Sequence, residues 1–310
     1  MATKKPLVLS AAGEIQQLQA TDTLGVSVGD LSSVGPLYAL TAPPLVTSGV
    51  ATALDGNITN VATSLTVDSS SGFPAVPFIV LIGTEEIKVT NVSGVTWTVV
   101  RAYGRPATTG AAHSDNDAVT LLHWHWWYQQ ALGTATQVGA YIRMASGLPP
   151  AGAWRRAYAR MIPASMTVLT VMMVPTLFST LGENRFVGVF LGEGGTGKAH
   201  WLIYGQSVNG PIIYTQYAPD PFSTGAATTP VGPLYSVLPS NPLFLQVDVS
   251  TANCIFRASP DGSSGSWVQI ASLAKTTPFT TAPDEWGVML LGTSAATHDA
   301  SLSLISLAEA

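Results

Sequence analysis

A chain of 310 residues with 46% hydrophobic content has material for about two packed domains. Charged residues are only 10%, with 13 basic against 18 acidic side chains and a net charge of −5; this excludes a disordered polar chain and a basic nucleic-acid footprint. Twenty-nine glycines and 21 prolines favour many short elements joined by turns, and so little charge implies a surface partly hidden in an assembly.

Residues 1–50 read as an arm. Leu7-Val8-Leu9, Leu18 and Leu24-Gly25-Val26 are apolar patches separated by Gly, Ser and Pro, and Gly13 to Gln19 predicts a short strand or turn. Ala42 to Gly49 reads as an extended linker, because proline fixes φ and lacks a ladder donor. Such a segment buries no core alone and is expected to dock on another body. Lys4-Lys5 precedes an apolar run too short for a signal peptide. The lone Cys254 forms no intrachain disulfide and reads as a buried, inert thiol. Both point to folding in a reducing cytoplasm.

Residues 51–122 predict a small β domain. Thr63 to Val67 alternates, Phe78 to Ile82 is a continuous apolar strand, and Glu86 to Asn91 alternates again before Thr96 to Arg101. Gly83-Thr84 and Ser93-Gly94 supply hairpin turns. Residues 123–136 form an aromatic connector. His123-Trp124-His125-Trp126-Trp127-Tyr128 is an aggregation liability if exposed, so Trp124, Trp126, Trp127 and Tyr128 are expected at an interdomain or intersubunit contact. A helical turn or two is expected around Tyr128 to Leu132.

Residues 137–310 predict strand after strand: Met166 to Val174, Arg185 to Leu191, His200 to Tyr204, Pro211 to Gln216, Leu243 to Val249, Cys254 to Ala258, Ser266 to Ile270 and Trp286 to Leu291. Regular turn signals between them indicate a sandwich. The uncharged stretch Met161 to Gly182 is interrupted by Pro163 and Pro175 and is β-branched at its centre. It reads as a buried strand ending in a turn at Pro175, with no membrane insertion.

Several patterns bear on chemistry. Gly192 to Lys198 has phosphate-loop spacing, but Ala199 stands where Ser or Thr should hold magnesium. A strand follows where a helix should start, so a hairpin loop is expected. Asp115 and Asp117 have calcium-ligand spacing, but no later Glu completes a loop; a polar turn is expected. His123 and His125 share a face if the segment is extended, and imidazole suits zinc, iron, nickel or copper. Aromatic packing with both rings hydrogen-bonded is the competing reading. Glycoside hydrolysis needs two facing carboxylates, yet most acids of the C-terminal part lie in turns, so no catalytic residue is assigned. For sugar binding, Tyr217 to Phe222 gathers aromatic and polar groups on a rigid turn, with Asp220 between the two rings. Tyr217, Asp220 and Phe222 are candidate ligand residues, with Trp201 added from the adjacent strand. Alternation puts Trp201 and Ile203 on one face of that strand and Leu202 and Tyr204 on the other.

Three stretches carry a resemblance. Lys5 to Leu9 followed by Gly13 to Leu18 resembles the N-terminal segment of bacteriophage virion proteins. Ala62 to Val67, Gly72-Phe73-Pro74, Glu85-Glu86-Ile87, Trp97 to Arg101 and Ala111-Ala112-His113 are similar to a small β domain of phage fibres. Pro242 to Val247, Ile255 to Gly262, Trp267 to Ile270 and Ala282 to Gly287 resemble a concanavalin A-like lectin jelly roll. The resemblance implies an all-β phage fibre or capsid decoration protein: an N-terminal virion-attachment arm, a small β-hairpin domain and a C-terminal β-sandwich. Such proteins are usually homotrimers, made in the bacterial host cytoplasm and built into the virion. Residues 1–50 would meet other virion proteins, and the jelly roll would adhere reversibly to host surface glycan. On a threefold axis, three copies of His123 and His125 would offer six nitrogens to one metal ion, as His-x-His sites do in some phage fibres. Plant members of the lectin fold hold calcium and manganese through Asp and Asn, but no matching cluster occurs here. No cofactor and no enzymatic activity are expected; a tail-spike-type glycan depolymerase on the same scaffold is the alternative.

Overall fold

The computed structural model describes residues 7–9, 15–17, 47–103, 110–129, 134–138, 141–145, 154–163, 165–177, 185–207, 210–218, 242–276, 279–292 and 300–309. The chain divides into two compact units, Met1–Pro36 and Leu37–Ala310. The first holds an antiparallel pair, β1 (Leu7–Leu9) and β2 (Ile15–Gln17), with Leu9 opposite Ile15.

The second unit contains two β modules. The smaller comprises β3 (Thr47–Ala53), β4 (Ser64–Thr66), β5 (Phe78–Ile82), β6 (Glu85–Ser93), β7 (Thr96–Val100) and β8 (Ala118–Leu122). They form one antiparallel sheet in the order β3-β8-β5-β6-β7-β4. A bridge between Leu54 and Val67 joins the ends of the two edge strands, curling the sheet toward closure and protecting its edges. Its concave side is filled by Leu54, Val80, Ile87, Val89, Trp97 and Val119. Trp97 is fully buried against Phe73 and Phe78, with ring centroids 4.9 and 5.4 Å away. Its Nε1 donates to Ser70 Oγ at 2.8 Å, as a buried indole N–H requires.

The larger module is built from β9 (His125–Gln129), β10 (Thr134–Val138), β11 (Tyr141–Ala145), β12 (Trp154–Met161), β13 (Val168–Leu177), β14 (Arg185–Glu193), β15 (Lys198–Ser207), β16 (Gly210–Ala218), β17 (Leu243–Asp248), β18 (Asn253–Ser259), β19 (Val268–Ala274), β20 (Glu285–Gly292) and β21 (Ala300–Glu309). Seven strands make one sheet, β10-β11-β21-β13-β17-β18-β19, and six the other, β16-β15-β14-β20-β12-β9. All pairings are antiparallel, and the two sheets close over one core. Val187, Val189 and Leu191 of β14 and Val288 and Leu290 of β20 meet Leu169, Val171 and Met173 of β13 there. The opposite face of the six-stranded sheet carries a second buried cluster, including Phe186, Phe190, Trp201, Ile203 and Met289. Burial on both faces explains why β14 and β20 read as continuous apolar runs. The all-β, two-sheet sandwich expected from the sequence is the architecture found.

Three local expectations are corrected. Pro175 lies inside β13, opposite Leu302 of β21, and does not end the strand in a turn. Among the described residues β17 pairs β13 only as far as Met173, so no described ladder partner on that side calls for the donor that Pro175 lacks. Tyr128 and Gln129 belong to β9, not to a helical turn, because pairing with Ala157 and Arg156 of β12 overrides local preference. The strand expected at Ser266 to Ile270 runs instead from Val268 to Ala274. Cys254 is a buried free thiol, pushed by burial up to about 11.

Because Trp97 fills the centre of the small module, Trp97→Ala should cost about 3–5 kcal/mol. Urea unfolding followed by circular dichroism would measure this; Trp97→Phe should cost less.

Candidate functional site

Strand alternation sorts the start of β6 into two faces. Glu85, Ile87 and Val89 are buried on the small module's own side, whereas Glu86 and Lys88 are half-buried on the opposite face, where they meet the sandwich.

The inward side centres on Glu85. Arg101 grips its carboxylate in a fork, with Nε to Oε1 at 2.8 Å and Nη2 to Oε2 at 2.6 Å. The backbone N–H groups of Ala102 and Ala111 donate to it at 3.0 and 3.1 Å, and His113 Nε2 lies 2.8 Å away. Burial works to raise this carboxyl, but the hydrogen bonds from Arg101, Ala111, His113 and Ala102 outweigh it and hold it at about 2.

The outward side forms the seam with the sandwich. Lys88 Nζ bonds Asp284 Oδ2 and reaches Tyr103 Oη at 3.2 Å. Tyr103 donates to Glu285 Oε1 at 2.5 Å. The fully buried His125 stands between the modules, Nδ1 3.5 Å from Glu86 Oε2 and Nε2 3.5 Å from Glu285 Oε1. Burial opposes its charge, but Glu285 and then Glu86 overcome that and raise it to about 9. His125 is therefore an imidazolium at neutral pH, balancing one carboxylate from each module.

The glycine run Gly192 to Lys198 is a hairpin turn between β14 and β15, with the Gly197 N–H donating to the Glu193 carbonyl at 2.8 Å. Thr280 and Thr281 donate to the Glu193 carboxylate through both their hydroxyls and their backbone N–H groups. Burial would raise that carboxyl, but these bonds, with Thr196, hold it at about 2. The Gly194 N–H donates to Asp284 Oδ1 at 2.8 Å. A Cβ there would sit 1.8 Å from Tyr103 Oη and 2.6 Å from Glu285 Oε1, so only glycine lets the turn close on the seam.

Beside this network a cleft of about 410 Å³ opens between the modules. One wall is Pro74 to Phe78, the floor is Leu121 to His123, and the far wall is Arg160 to Pro163 with Ser165. Arg160 pairs with Glu309 at 3.2 Å and lies 5.8 Å above the Trp124 ring.

The aromatic string supplies both faces of the six-stranded sheet. Trp124 stacks on Tyr158 at 5.7 Å and meets Trp286 edge-on at 5.3 Å, inside the sandwich core. Trp127 packs on the other sheet face against Phe190 at 4.9 Å. Both are buried within the single chain. The backbones of Trp126 and Tyr128 pair with Tyr158 and Ala157; their side chains lie outside the described set. His123 lines the cleft while His125 sits in the seam. Among the described residues no group of three or more His, Cys, Asp or Glu is arranged to hold a metal ion. Trp201 is buried in the outer cluster of the six-stranded sheet, on the face opposite Leu202 and Tyr204. Tyr217 is half-buried on β16, and Asp220 and Phe222 lie outside the described residues. Asp115 and Asp117 serve a polar turn, Asp115 accepting from Gly56 N at 2.8 Å and Asp117 from Ser114 N at 2.9 Å. Ser165 and the Lys88–Asp284 pair escaped sequence reasoning. The alternation that puts Glu86 and Lys88 on one face was the one local signal.

No family model matches the chain, and no curated protein matches it in sequence. Among solved structures, the legume lectin-like domain from Entamoeba histolytica is similar at 12% identity, covering 60% of this chain and 88% of that one, with a TM-score of 0.38. The Ca2+/Man2-bound exoplasmic/lumenal domain of VIP36 is similar at 13% identity, over 62% of this chain and 82% of that one, with a TM-score of 0.36. A structure from work on endo-acting O-glycanases of human gut bacteria is similar at 10% identity, over 60% and 92%, with a TM-score of 0.41.

The two faces of β6 dictate two pH limits. His125 has a raised value, so its contribution is complete below its ordinary 6.5 and is lost as pH rises through about 9. Glu85 has a lowered value, so its contribution holds above 4.5 and is lost as pH falls toward 2. Urea midpoints measured from pH 2 to 10 should fall at both ends. His125→Gln should remove the alkaline loss attributable to this residue and cost about 3–5 kcal/mol at pH 7, since it takes the opposite charge away from the buried Glu285. Gly194→Ala, by overpacking the seam, should cost about 1–3 kcal/mol.

Proposed function

We propose that the chain is a non-catalytic, carbohydrate-binding structural protein of a bacteriophage virion. It would be made in the host cytoplasm, assembled as a homotrimer, anchored through residues 1–50 and adherent to host surface glycan through its sandwich-bearing body. The observation that carries the binding role is the seam cleft. It is an open concavity between two rigid β modules, mostly apolar, with an arginine, an imidazole and a hydroxyl converging on it, the composition expected of a small-ligand site. The division at Pro36 favours an arm distinct from the body.

The same geometry speaks against hydrolysis. Glu85, Glu193, Asp284 and Glu285 are each engaged by named structural donors. Asp248 and Glu309 likewise serve Ser250 and Trp286. A hydrolase needs two carboxylates facing an open substrate path, and Glu86 and Glu285 face a buried imidazole instead. Tyr217, Asp220 and Phe222 remain proposed as a second ligand surface.

The full-length chain, applied to an array of bacterial surface glycans, should bind at least one class and release no reducing ends. Reducing-end release would replace this reading with the depolymerase, and silence across the array would remove the adhesive role. Light scattering should give about three times 32.3 kDa. A monomer with or without chelator would contradict the trimer, because Trp124 and Trp127 need no partner subunit to be covered.

A further inference from the structure

We propose that the seam cleft is a carboxylate-binding site, with the anion seated on Arg160 and the carbon skeleton of its ligand against the apolar walls. The inference deepens the glycan reading and rests on it for the source of the ligand, an acidic sugar residue.

The argument begins with charge. No Asp or Glu is among the described residues lining the cleft, and Arg160 is the one permanently charged group among them. Burial, with help from Arg160, lowers His123 below its ordinary value. The ring is thus neutral at pH 7, with one nitrogen donating and the other accepting. The titratable groups facing Arg160 are His123 on the cleft side and Glu309 behind it.

Arg160 is also held in place. On β12 it lies opposite Trp286 of β20. Its Nη2 meets Glu309 at 3.2 Å, and the Trp124 ring lies beneath its guanidinium. A guanidinium carries five N–H donors in a fixed fork, so one contact to Glu309 leaves donors for a second carboxylate. That planar fork matches a carboxylate better than a lone hydroxyl. The walls supply the rest: Pro74 and Pro77 on one side, Met161 and Ile162 on the other. These offer apolar contact to the C–H face of a ring, while Ser165 sits exposed at the lip. About 410 Å³ falls within the usual range for small-molecule sites, roughly 300–1,000 Å³.

The test is calorimetric titration of the full chain with glucuronate, glucose and 4-methylpentanoate. Glucuronate should bind about tenfold or more tighter than glucose, its neutral counterpart. Arg160→Gln should abolish that preference. Because Arg160 also braces Glu309 and Trp124, a second variant is needed that leaves the packing alone. Ser165→Glu places a negative charge at the exposed lip and should weaken glucuronate about tenfold or more, while Ser165→Lys should strengthen it. Equal binding of glucose and glucuronate, or indifference to Ser165→Glu, would overturn the carboxylate site. Should the glycan array stay positive in that case, the adhesive reading survives and its surface lies elsewhere. If 4-methylpentanoate binds in the Ser165-dependent way while the array is silent, the carboxylate site stands and its sugar source falls.

Discussion

One buried imidazolium between two carboxylates is the constraint around which this molecule is arranged. His125 belongs to an edge strand of the sandwich, Glu285 to its central strand β20, and Glu86 to the small module. Each of these ions would be expensive to bury alone, and together they are tolerable only in one relative position of the two modules. Tyr103 and Lys88 extend the same requirement outward to Glu285 and Asp284. A buried polar lattice of this kind adds less to stability than an apolar seam of equal area, but it selects a single docking geometry.

The cleft follows from that geometry. Its walls come from both modules, so its shape is set by how the seam locks them. Arg160 stands on β12, the strand that joins β9 to β20, and the Ile162 N–H donates to the Asp284 carbonyl at 2.9 Å. The wall carrying Arg160 and Ile162 is thus tied by one hydrogen bond to the residue that holds Lys88. Binding chemistry at the surface and ion pairing in the interior share a backbone.

Much of this was legible in the residues, though unevenly. Alternation and apolar runs located β5, β14, β15 and β20, because burial on one or both faces writes directly into sequence period. Strands β9 and β21 were not foreseen. The aromatic density at Trp124 to Tyr128 suggested a contact surface, and the serine-spaced run after Ala300 gave a weak pattern; both strands owe their place to long-range partners. The stretches Glu85-Glu86-Ile87, Trp97 to Arg101 and Ala111 to His113 were singled out separately, and the fold gathers Glu85, Arg101, Ala111 and His113 into one cluster. Ala282 to Gly287 similarly delivers Asp284 and Glu285 to the seam. The Lys88–Asp284 pair spans 196 positions, a separation at which no local period can signal contact. His123 and His125 looked alike by spacing, yet a bend before β9 sends one to the cleft and the other to the seam.

The most direct measurement is the protonation of His125 itself, followed by heteronuclear NMR of its ring from pH 5 to 10 and assigned with His125→Gln. The account predicts an imidazolium that persists through pH 7 and deprotonates near 9. A ring that is neutral at pH 7, or that titrates at the ordinary value near 6.5, would contradict the ionic seam and with it the locked geometry of the two modules.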